Sequence, residues 1–320
     1  MAVATSSIRY LRFVLHNETD GILMARKRPT SLTLQVPELR ETTALLRALV
    51  DMGVEKIRLA GDDPALREDL GDIVEMIAGL DGIHEVAMTT RGIGLSGKVA
   101  KLAKQGLNSI SFNIDGLRAG TYRSMTGSGK FKQVRKTLDE ALAADLKVKL
   151  NVVLRRGVND KEIGDFVGLT REHPVQVRFL EWNSGTDTIA PPEHFVSTRE
   201  TMAAITPPLV PQEPSVLGGP ALVYGIPEHA GTIGFIPNIT EHFCGDCNRI
   251  GLTDTGEVLS CIYGRGLSLV RHLRSRGGAT SVSAFLDRVL RRKLLLASKL
   301  QGFPGTSSPA ESLTAGQIPG

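Results

Sequence analysis

The first 182 residues alternate between short apolar runs and longer segments in which apolar residues recur every three or four positions. The short runs predict buried strands, and the longer segments predict amphipathic helices. The predicted strands cover residues 8–15, 56–60, 85–90, 109–114, 147–154 and 175–182. The predicted helices between them cover residues 38–52, 66–79, 97–105, 130–144 and 160–171.

Strands and helices that alternate with short connections predict parallel strands joined by right-handed crossovers. Six strands favour an α/β fold of the TIM type, an open partial (βα)6 barrel, and a doubly wound sheet is the alternative. In both folds, ligands bind at the carboxyl ends of the strands. We therefore expect a common cavity just past the strand ends Ala60, Thr90, Ile114 and Leu154.

The pattern changes near Asn183, where Pro, Gly, Thr and Ser become frequent. Residues 183–220 predict a linker or a meandering cover. Short strands follow within 221–263, then a helix over about 281–299 and an irregular tail from Gly302. The predicted parts are a barrel over 1–182, a linker over 183–220 and a small C-terminal domain over 221–320.

The composition is that of an ordinary globular protein, with 41% hydrophobic and 22% charged residues. No apolar run is long enough to predict a membrane span, and the N-terminus lacks the pattern of a secretory signal, so we expect a cytoplasmic protein. The net charge of +4 suits an anionic ligand. Aromatic residues make up 5% of the chain, and no basic–aromatic motif occurs, which argues against a nucleic-acid partner.

Three cysteines occur in one short segment: Cys244, Cys247 and, after thirteen intervening residues, Cys261. Two thiolates on a CxxC turn and a third from a nearby strand suit an iron–sulfur cluster with one open iron. The spacing alone leaves open a zinc site completed by a histidine such as His242, or three unligated core thiols. An odd number of cysteines argues against a disulfide framework.

Several motifs resemble those of the GTP 3′,8-cyclase family, the molybdenum cofactor biosynthesis protein A branch of the radical S-adenosylmethionine (SAM) enzymes. The C-terminal stretches 219–236 and 242–264 carry the closest likeness, including HFCGDCNR and GEVLSCIYG. Further upstream, the matching motifs are KIRLAGDDP at 56–64, TTRG at 89–92, KLNVVLRRGVND at 149–160 and RFLE at 178–181. The resemblance extends over nearly the whole chain.

The resemblance implies a (βα)6 partial barrel with a [4Fe–4S] cluster at each end of its cavity. In the family, the N-terminal cluster cleaves SAM to a radical, and the C-terminal cluster, held by three cysteines, binds the GTP base. It therefore implies one iron–sulfur cluster on Cys244, Cys247 and Cys261. It also implies a lining for the GTP triphosphate at Arg12, Lys56, Arg58, Lys149, Arg178 and Arg249. Family members often dimerise, so the expected partners are a homodimer mate or another protein.

The departures from the family pattern concern the SAM site. Its three N-terminal cysteine positions fall here on Thr19, Leu23 and Arg26. Hydroxyl, alkyl and guanidinium groups do not hold an iron–sulfur cluster, and the radical chemistry belongs to that cofactor. The family's GGEP motif has become GDDP at 61–64, which shifts the carboxylate that would contact the amino group of SAM. Arg91 replaces the asparagine of the family's TTNG motif. These changes put SAM binding in doubt.

Smaller departures occur near the C-terminal cluster. The family's Arg-x-Arg after CxxCN is reduced to Arg249 followed by Ile250 and Gly251, and Pro319 replaces the penultimate glycine.

Three hypotheses follow. In the first, the protein binds a purine nucleotide, or another phosphorylated ligand, beside one C-terminal [4Fe–4S] cluster and generates no SAM radical. It then acts as a sensor, a partner subunit or an enzyme of different chemistry. In the second, it is a working GTP 3′,8-cyclase, alone or paired with a partner that generates the radical. In the third, it is a structural remnant stapled by zinc.

Overall fold

The computed structural model describes a large part of the chain. The described residues are 8–15, 39–61, 63–182, 193–213, 215, 217–237, 239–240, 247–254, 256–261, 266–269, 284, 285, 288, 289, 291 and 293. Among the helices in these ranges, none has the length and the apolar character needed to cross a bilayer.

One mixed sheet of twelve strands organises the described residues. The strands are β1 (Tyr10–Leu15), β2 (Lys56–Gly61), β3 (Glu85–Thr90), β4 (Ser109–Asn113), β5 (Lys147–Leu154), β6 (Gln176–Glu181), β7 (Val210–Pro211), β8 (Leu222–Gly225), β9 (Thr232–Ile236), β10 (Arg249–Thr253), β11 (Glu257–Leu259) and β12 (Leu267–Ser268). The helices are α1 (Leu39–Val50), α2 (Leu70–Ala78), α3 (Val99–Lys104), α4 (Ala119–Thr126), α5 (Phe131–Ala143), α6 (Ile163–Glu172) and α7 (Thr198–Ala203).

The strand order is β12-β11-β10-β1-β2-β3-β4-β5-β6-β9-β8-β7. Strands β1 to β6 are neighbours in sequence order, and each adjacent pair runs parallel. This arrangement confirms the predicted α/β radical SAM type of fold. It follows from the alternation of strands and helices, since parallel neighbours need a crossover between them.

The two faces of the sheet differ because successive side chains on a strand point to opposite sides. Ile57 and Leu59 of β2, for example, lie with no exposed surface in the hydrophobic core against the helices. Lys56 and Arg58 alternate with them and point to the inner face. The inner face is therefore polar, while the outer face is apolar.

The C-terminal strands extend the barrel sheet at both edges. Strand β9 pairs parallel with β6, and β10 pairs parallel with β1. The chain thus passes from one edge of the sheet to the other between residues 236 and 249. The division of the chain at residues 182 and 220 stays a prediction, and the strands after 220 share a sheet with those before 182.

Two helices were missed by the pattern analysis. Helix α4 lies in the connection after β4, where no helix was predicted. Helix α7, followed by β7, lies within the stretch predicted as a linker. The predicted last helix agrees with its described positions, 284, 285, 288, 289, 291 and 293, all of which are helical.

Candidate functional site

Basic side chains line the inner face of the sheet. Alternation places Arg12 of β1, Lys56 and Arg58 of β2, and Arg249 of β10 on this face, because their sequence neighbours are buried in the core. Lys149 of β5 and Arg178 of β6 lie on the same face for the same reason. We call this set the basic lining: Arg12, Lys56, Arg58, Lys149, Arg178 and Arg249.

Lys56 has no exposed surface, and its ammonium group has two close partners. Its Nζ lies 2.8 Å from Oε1 of Glu85, the register partner on β3, and donates to the carbonyl of Leu217 over 2.6 Å. Burial and the nearby Arg58 lower the pKa of Lys56, while Tyr10 and Glu85 act in the opposite direction. Lys56 is thus held as a buried ion pair.

Arg58 joins four strands by hydrogen bonds. Its Nε donates to the hydroxyl of Tyr10 over 2.5 Å, and its Nη1 donates to Oγ of Ser111 over 2.8 Å and to Oγ1 of Thr89 over 3.1 Å. Burial alone would raise the pKa of Tyr10, but Arg58, Lys56, Arg12 and Arg249 together lower it. These four cations make the electrostatic potential at the inner face positive.

Lys149 lacks a hydrogen-bond or ion-pair partner within the described part of the chain. Burial, followed by the charges of Arg178, Lys56 and Arg58, lowers its pKa to about 6. Burial and Arg58 likewise lower the pKa of Arg178 to about 10. A pKa of about 6 leaves the Lys149 amine largely neutral at pH 7 until an anion arrives.

A short backbone segment crosses the inner face. The carbonyl of Leu217 accepts from Lys56, and the carbonyl of Gly218 accepts from Nη2 of Arg178 over 3.2 Å. A separate cavity of about 220 Å³ opens at the amino ends of β5, β6 and β9. Lys149 and Gln176 are among the residues that line this cavity, so Lys149 is reached from that side.

The basic lining lies toward the amino ends of the strands. Lys56 and Arg249 are the first residues of β2 and β10, and both are register partners of Tyr10 at the start of β1. The basic lining thus lies at the opposite end of the strands from the cavity predicted past Ala60, Thr90, Ile114 and Leu154, and a ligand site at those carboxyl ends stays a prediction. The positions are set by strand alternation: Lys56 and Arg58 are the first and third residues of β2, and Lys149 and Arg178 are the third residues of β5 and β6.

The cysteine segment lies at the same end of the sheet. Cys247 precedes β10 by two residues, Cys261 follows β11 by two, and both are free, half-buried thiols. Burial alone would raise the pKa of Cys247, but Arg249 and Lys293 lower it, so that a thiolate is favoured. Cys244, the third predicted ligand, and His242, the alternative zinc ligand, lie outside the described residues.

The carboxyl ends of β2 and β3 carry a different group of residues. The carboxylate of Asp63 accepts from Oγ1 of Thr90 over 2.6 Å, from the amide of Arg91 over 3.0 Å and from the amide of Ala65 over 3.2 Å. These donors engage most of its acceptor sites. Thr19, Leu23 and Arg26, which occupy the cysteine positions of the family motif, lie outside the described residues, as does Asp62.

At the ends of β4 and β5, Asp115 is buried. Its Oδ1 accepts from the amide of Val153 over 2.7 Å, and burial raises its pKa to about 6. Asn151 donates to Asn113 over 3.0 Å beside it. Asn113, Asp115 and Asn151 therefore form a polar group at this end of the strands.

Family models match two consecutive parts of the chain. The model for the radical SAM superfamily matches residues 25–170, and the model for Molybdenum Cofactor Synthesis C matches residues 175–295. The GTP 3′,8-cyclase of Desulforamulus reducens is 34% identical over 273 residues, which cover 81% of this chain and 82% of the relative. The chain belongs to the GTP 3′,8-cyclase family.

Other members of the GTP 3′,8-cyclase family show the same degree of similarity. The protein named GTP 3′,8-cyclase from Haemophilus influenzae is 34% identical over 80% of this chain and 76% of its own length. The solved structure of Streptococcus suis SuiB superposes with a TM-score of 0.58 at 14% identity, over 87% of this chain and 68% of that one. At this identity the structural likeness shows the fold alone.

Sequence reasoning missed five residues that contribute to the site. They are Tyr10, Glu85, Leu217 and Gly218 through their carbonyl groups, and Lys293. Lys56 and Leu217 are 161 positions apart, and Arg58 and Tyr10 are 48 apart. No local motif signals contacts over such separations. Alternation on β1 and β3 was the signal that could have placed Tyr10 and Glu85 on the inner face.

Proposed function

We propose that this protein binds a purine nucleotide, with GTP as the first candidate, beside one C-terminal [4Fe–4S] cluster. We further propose that it does not generate a SAM radical. The observation that carries the proposal is Lys149, a mostly buried amine without a partner among the described residues, facing Arg178, Lys56 and Arg58. Such a group of cations is costly unless an anion compensates it.

The chemistry of the basic lining fits a polyphosphate. Arginine presents a fork of donors that matches phosphate oxygens, and lysine contributes a point charge. Arg58 and Arg178 are already held in place by hydrogen bonds to Ser111 and Gln176, of 2.8 Å and 2.7 Å. Preorganised donors of this kind raise affinity because less conformational freedom is lost on binding.

The identity of the nucleotide is supported by the relatives, which are named GTP 3′,8-cyclases and are 34% identical over most of their length. The family motifs that carry Lys56, Arg58, Lys149 and Arg178 are kept in this chain. The first arginine of the Arg-x-Arg motif is kept as Arg249, while its second arginine is Gly251. We therefore expect a triphosphate to be held with one guanidinium group fewer.

The described cysteines fit an iron–sulfur cluster. Pairing of β10 with β11 sets Gly251 opposite Leu259, and the same register continued outward sets Cys261 opposite Arg249. Cys247, just before β10, and Cys261, just after β11, therefore lie at the same end of two neighbouring strands. The lowered pKa of Cys247 favours the thiolate that a cluster needs. A cluster there would lie at the same end of the sheet as the basic lining and supply an open iron for a ligand atom.

The absence of radical generation rests on the sequence. All three cysteines of the chain lie in the C-terminal segment, and the N-terminal positions hold Thr19, Leu23 and Arg26. The carboxylate of Asp63, at the place of the family's glutamate, is engaged by Thr90, Arg91 and Ala65. Little acceptor capacity is left for an amino group of SAM.

A working GTP 3′,8-cyclase is the second candidate. The identity of 34% over 81% of the chain favours it, because relatives of this similarity carry that activity in their names. In that case a partner protein would have to provide the radical. Complementation of a strain that lacks the cyclase tests this candidate directly.

The main experiment combines metal analysis with nucleotide titration. We expect about four irons and four sulfides per chain after anaerobic purification, consistent with one cube. GTP should bind the wild type, and Lys149→Met should weaken binding roughly 10- to 100-fold through loss of a charged contact. Lys136→Met, on the exposed face of α5, is the matched control and should bind as the wild type does.

Three results would contradict the proposal. Two [4Fe–4S] clusters per chain, or formation of 5′-deoxyadenosine from SAM, would show a working radical site. Zinc without iron would support the structural remnant. Equal GTP affinity in the wild type and in Lys149→Met would remove the basic lining as the phosphate site.

A further inference from the structure

Lys293, on the last helix, reaches back to the cysteine segment. Its side chain is buried, with 9% of the residue exposed. Its Nζ donates to Sγ of Cys247 over 3.1 Å, to the carbonyl of Arg249 over 2.7 Å and to the carbonyl of Ser260 over 3.5 Å. An ammonium group has three donors, and these three acceptors use all of them.

The three acceptors belong to two separate segments. Cys247 and Arg249 lie at the start of β10, and Ser260 lies between β11 and Cys261. Lys293 therefore ties the segment that carries one cysteine to the residue next to the other. It does so from 46 positions away from Cys247 and 33 away from Ser260, so the contact is tertiary.

The contact with the Cys247 sulfur indicates that Lys293 does more than hold two backbone segments together. A buried ammonium group needs compensation, and the two carbonyl groups are neutral acceptors. The Cys247 sulfur is the one acceptor of the three that carries negative charge when it is a cluster ligand. A hydrogen bond to a ligating sulfur stabilises electron density on the cluster and so raises its reduction potential.

We propose that Lys293 is the positioning residue of the C-terminal cluster. It joins the two cysteine-bearing strand ends and donates a hydrogen bond to Sγ of Cys247, the sulfur that would ligate the cluster. The proposal rests on the cluster of the proposed function. The last helix then helps to retain the cluster and to set the reduction potential of the cluster.

The experiment compares Lys293→Met, Lys293→Arg and the control Arg291→Met after anaerobic reconstitution of the full chain. Arg291 is an exposed position on the same helix. Iron per chain, the rate of iron loss to a chelator, the EPR spectrum and the midpoint potential are measured for each. We expect Lys293→Met to lose iron about 10-fold faster and to shift the potential downward.

The rescue variant separates the two roles. Lys293→Arg keeps charge and donors, so it should retain iron and recover most of the potential, while Arg291→Met should match the wild type. Wild-type iron retention and potential in Lys293→Met would overturn the proposal while leaving the cluster in place. A wild-type protein without iron would instead overturn the cluster itself.

Folding is checked by circular dichroism before reconstitution. If Lys293→Met does not fold, Lys293→Gln takes its place, because the amide keeps a donor and the approximate length but removes the charge. A lowered potential with retained fold supports the assignment. An unchanged potential in Lys293→Gln, with unchanged iron retention, counts against it.

Discussion

Glu85 and Lys56 form an ion pair across the first residues of β3 and β2, with Oε1 2.8 Å from Nζ and no exposed surface on the lysine side chain. Burial alone would raise the pKa of Glu85, but Lys56, Lys149 and Lys147 lower it. Glu85 is thus an internal counter-charge at the edge of the basic lining. It stabilises the ligand-free protein and also competes with any bound anion for the same cations.

Glu85→Gln should separate these two effects. Removing one charge from a buried pair lowers the free energy of unfolding by about 3 kcal/mol, because Lys56 stays buried with a neutral partner. GTP should bind more tightly, because the positive potential of the lining increases. Thermal unfolding with and without GTP measures both, and a variant with unchanged stability would contradict the role given to the pair.

Glu55→Gln is the control for that variant. Glu55 precedes Lys56 and forms a partly exposed ion pair of 3.6 Å with Arg9. Exposed pairs contribute little, so the free energy of unfolding should change by less than about 1 kcal/mol. GTP affinity should stay at the wild-type value.

Lys149→Met should have opposite effects on the free protein and on the complex. Without nucleotide, the midpoint of thermal unfolding should rise, since the variant replaces a buried, unpartnered amine with an apolar side chain of similar length. The increase in midpoint that GTP gives the wild type should shrink or vanish. A lower midpoint in the nucleotide-free variant would show that Lys149 has a stabilising partner.

The strands of the barrel were predictable because each is a short apolar run bounded by polar residues or glycine. The predicted and observed bounds of the strands at 85–90 and 147–154 are the same. Helix α4 was missed because it is short and polar and buries a single large side chain, Tyr122. Helical periodicity can be recognised in a sequence only when several apolar residues recur on one face of the helix.

The residues of the basic lining were predictable from motifs, but their surroundings were not. Alternation along a strand determines which residues share a face. The family motifs contain the four basic residues Lys56, Arg58, Lys149 and Arg178. The contacts with Glu85, Leu217 and Lys293 depend on strand order and on crossing segments. These arise from tertiary packing, for which the single sequence holds no local signal.

Ser197→Ala should destabilise the protein through helix α7. Oγ of Ser197 accepts from the amide of Glu200 over 3.2 Å, and the Glu200 carboxylate accepts from the Ser197 amide over 2.9 Å, which completes a capping box. Loss of such a cap lowers the free energy of unfolding by about 1 kcal/mol. Urea denaturation measures it, and Ser124→Ala, at an exposed position of α4, should leave the value unchanged.

GTP binding should be coupled to proton uptake at Lys149. In the free protein its pKa is about 6, lowered by burial and by Arg178, Lys56 and Arg58, with Glu85 acting in the opposite direction. A bound phosphate restores the charged form, so the pKa rises on binding. Between pH 6 and the higher pKa of the complex, the complex therefore holds more protons than the free protein, and affinity falls as pH rises. Below pH 6 the amine is already charged, and this dependence disappears.

Calorimetry in two buffers of different ionisation enthalpy measures this uptake directly. At pH 7.5 we expect an uptake of about one proton per GTP in the wild type, since most of the free amine is neutral there. The nucleotide's own phosphate titrates near pH 6 and contributes equally in every variant. Lys149→Arg is the control, because a guanidinium stays charged throughout this range, so its uptake should be lower than that of the wild type by about one proton per GTP. Tight GTP binding with equal proton uptake in the wild type and in Lys149→Arg would show that Lys149 is charged before the nucleotide arrives.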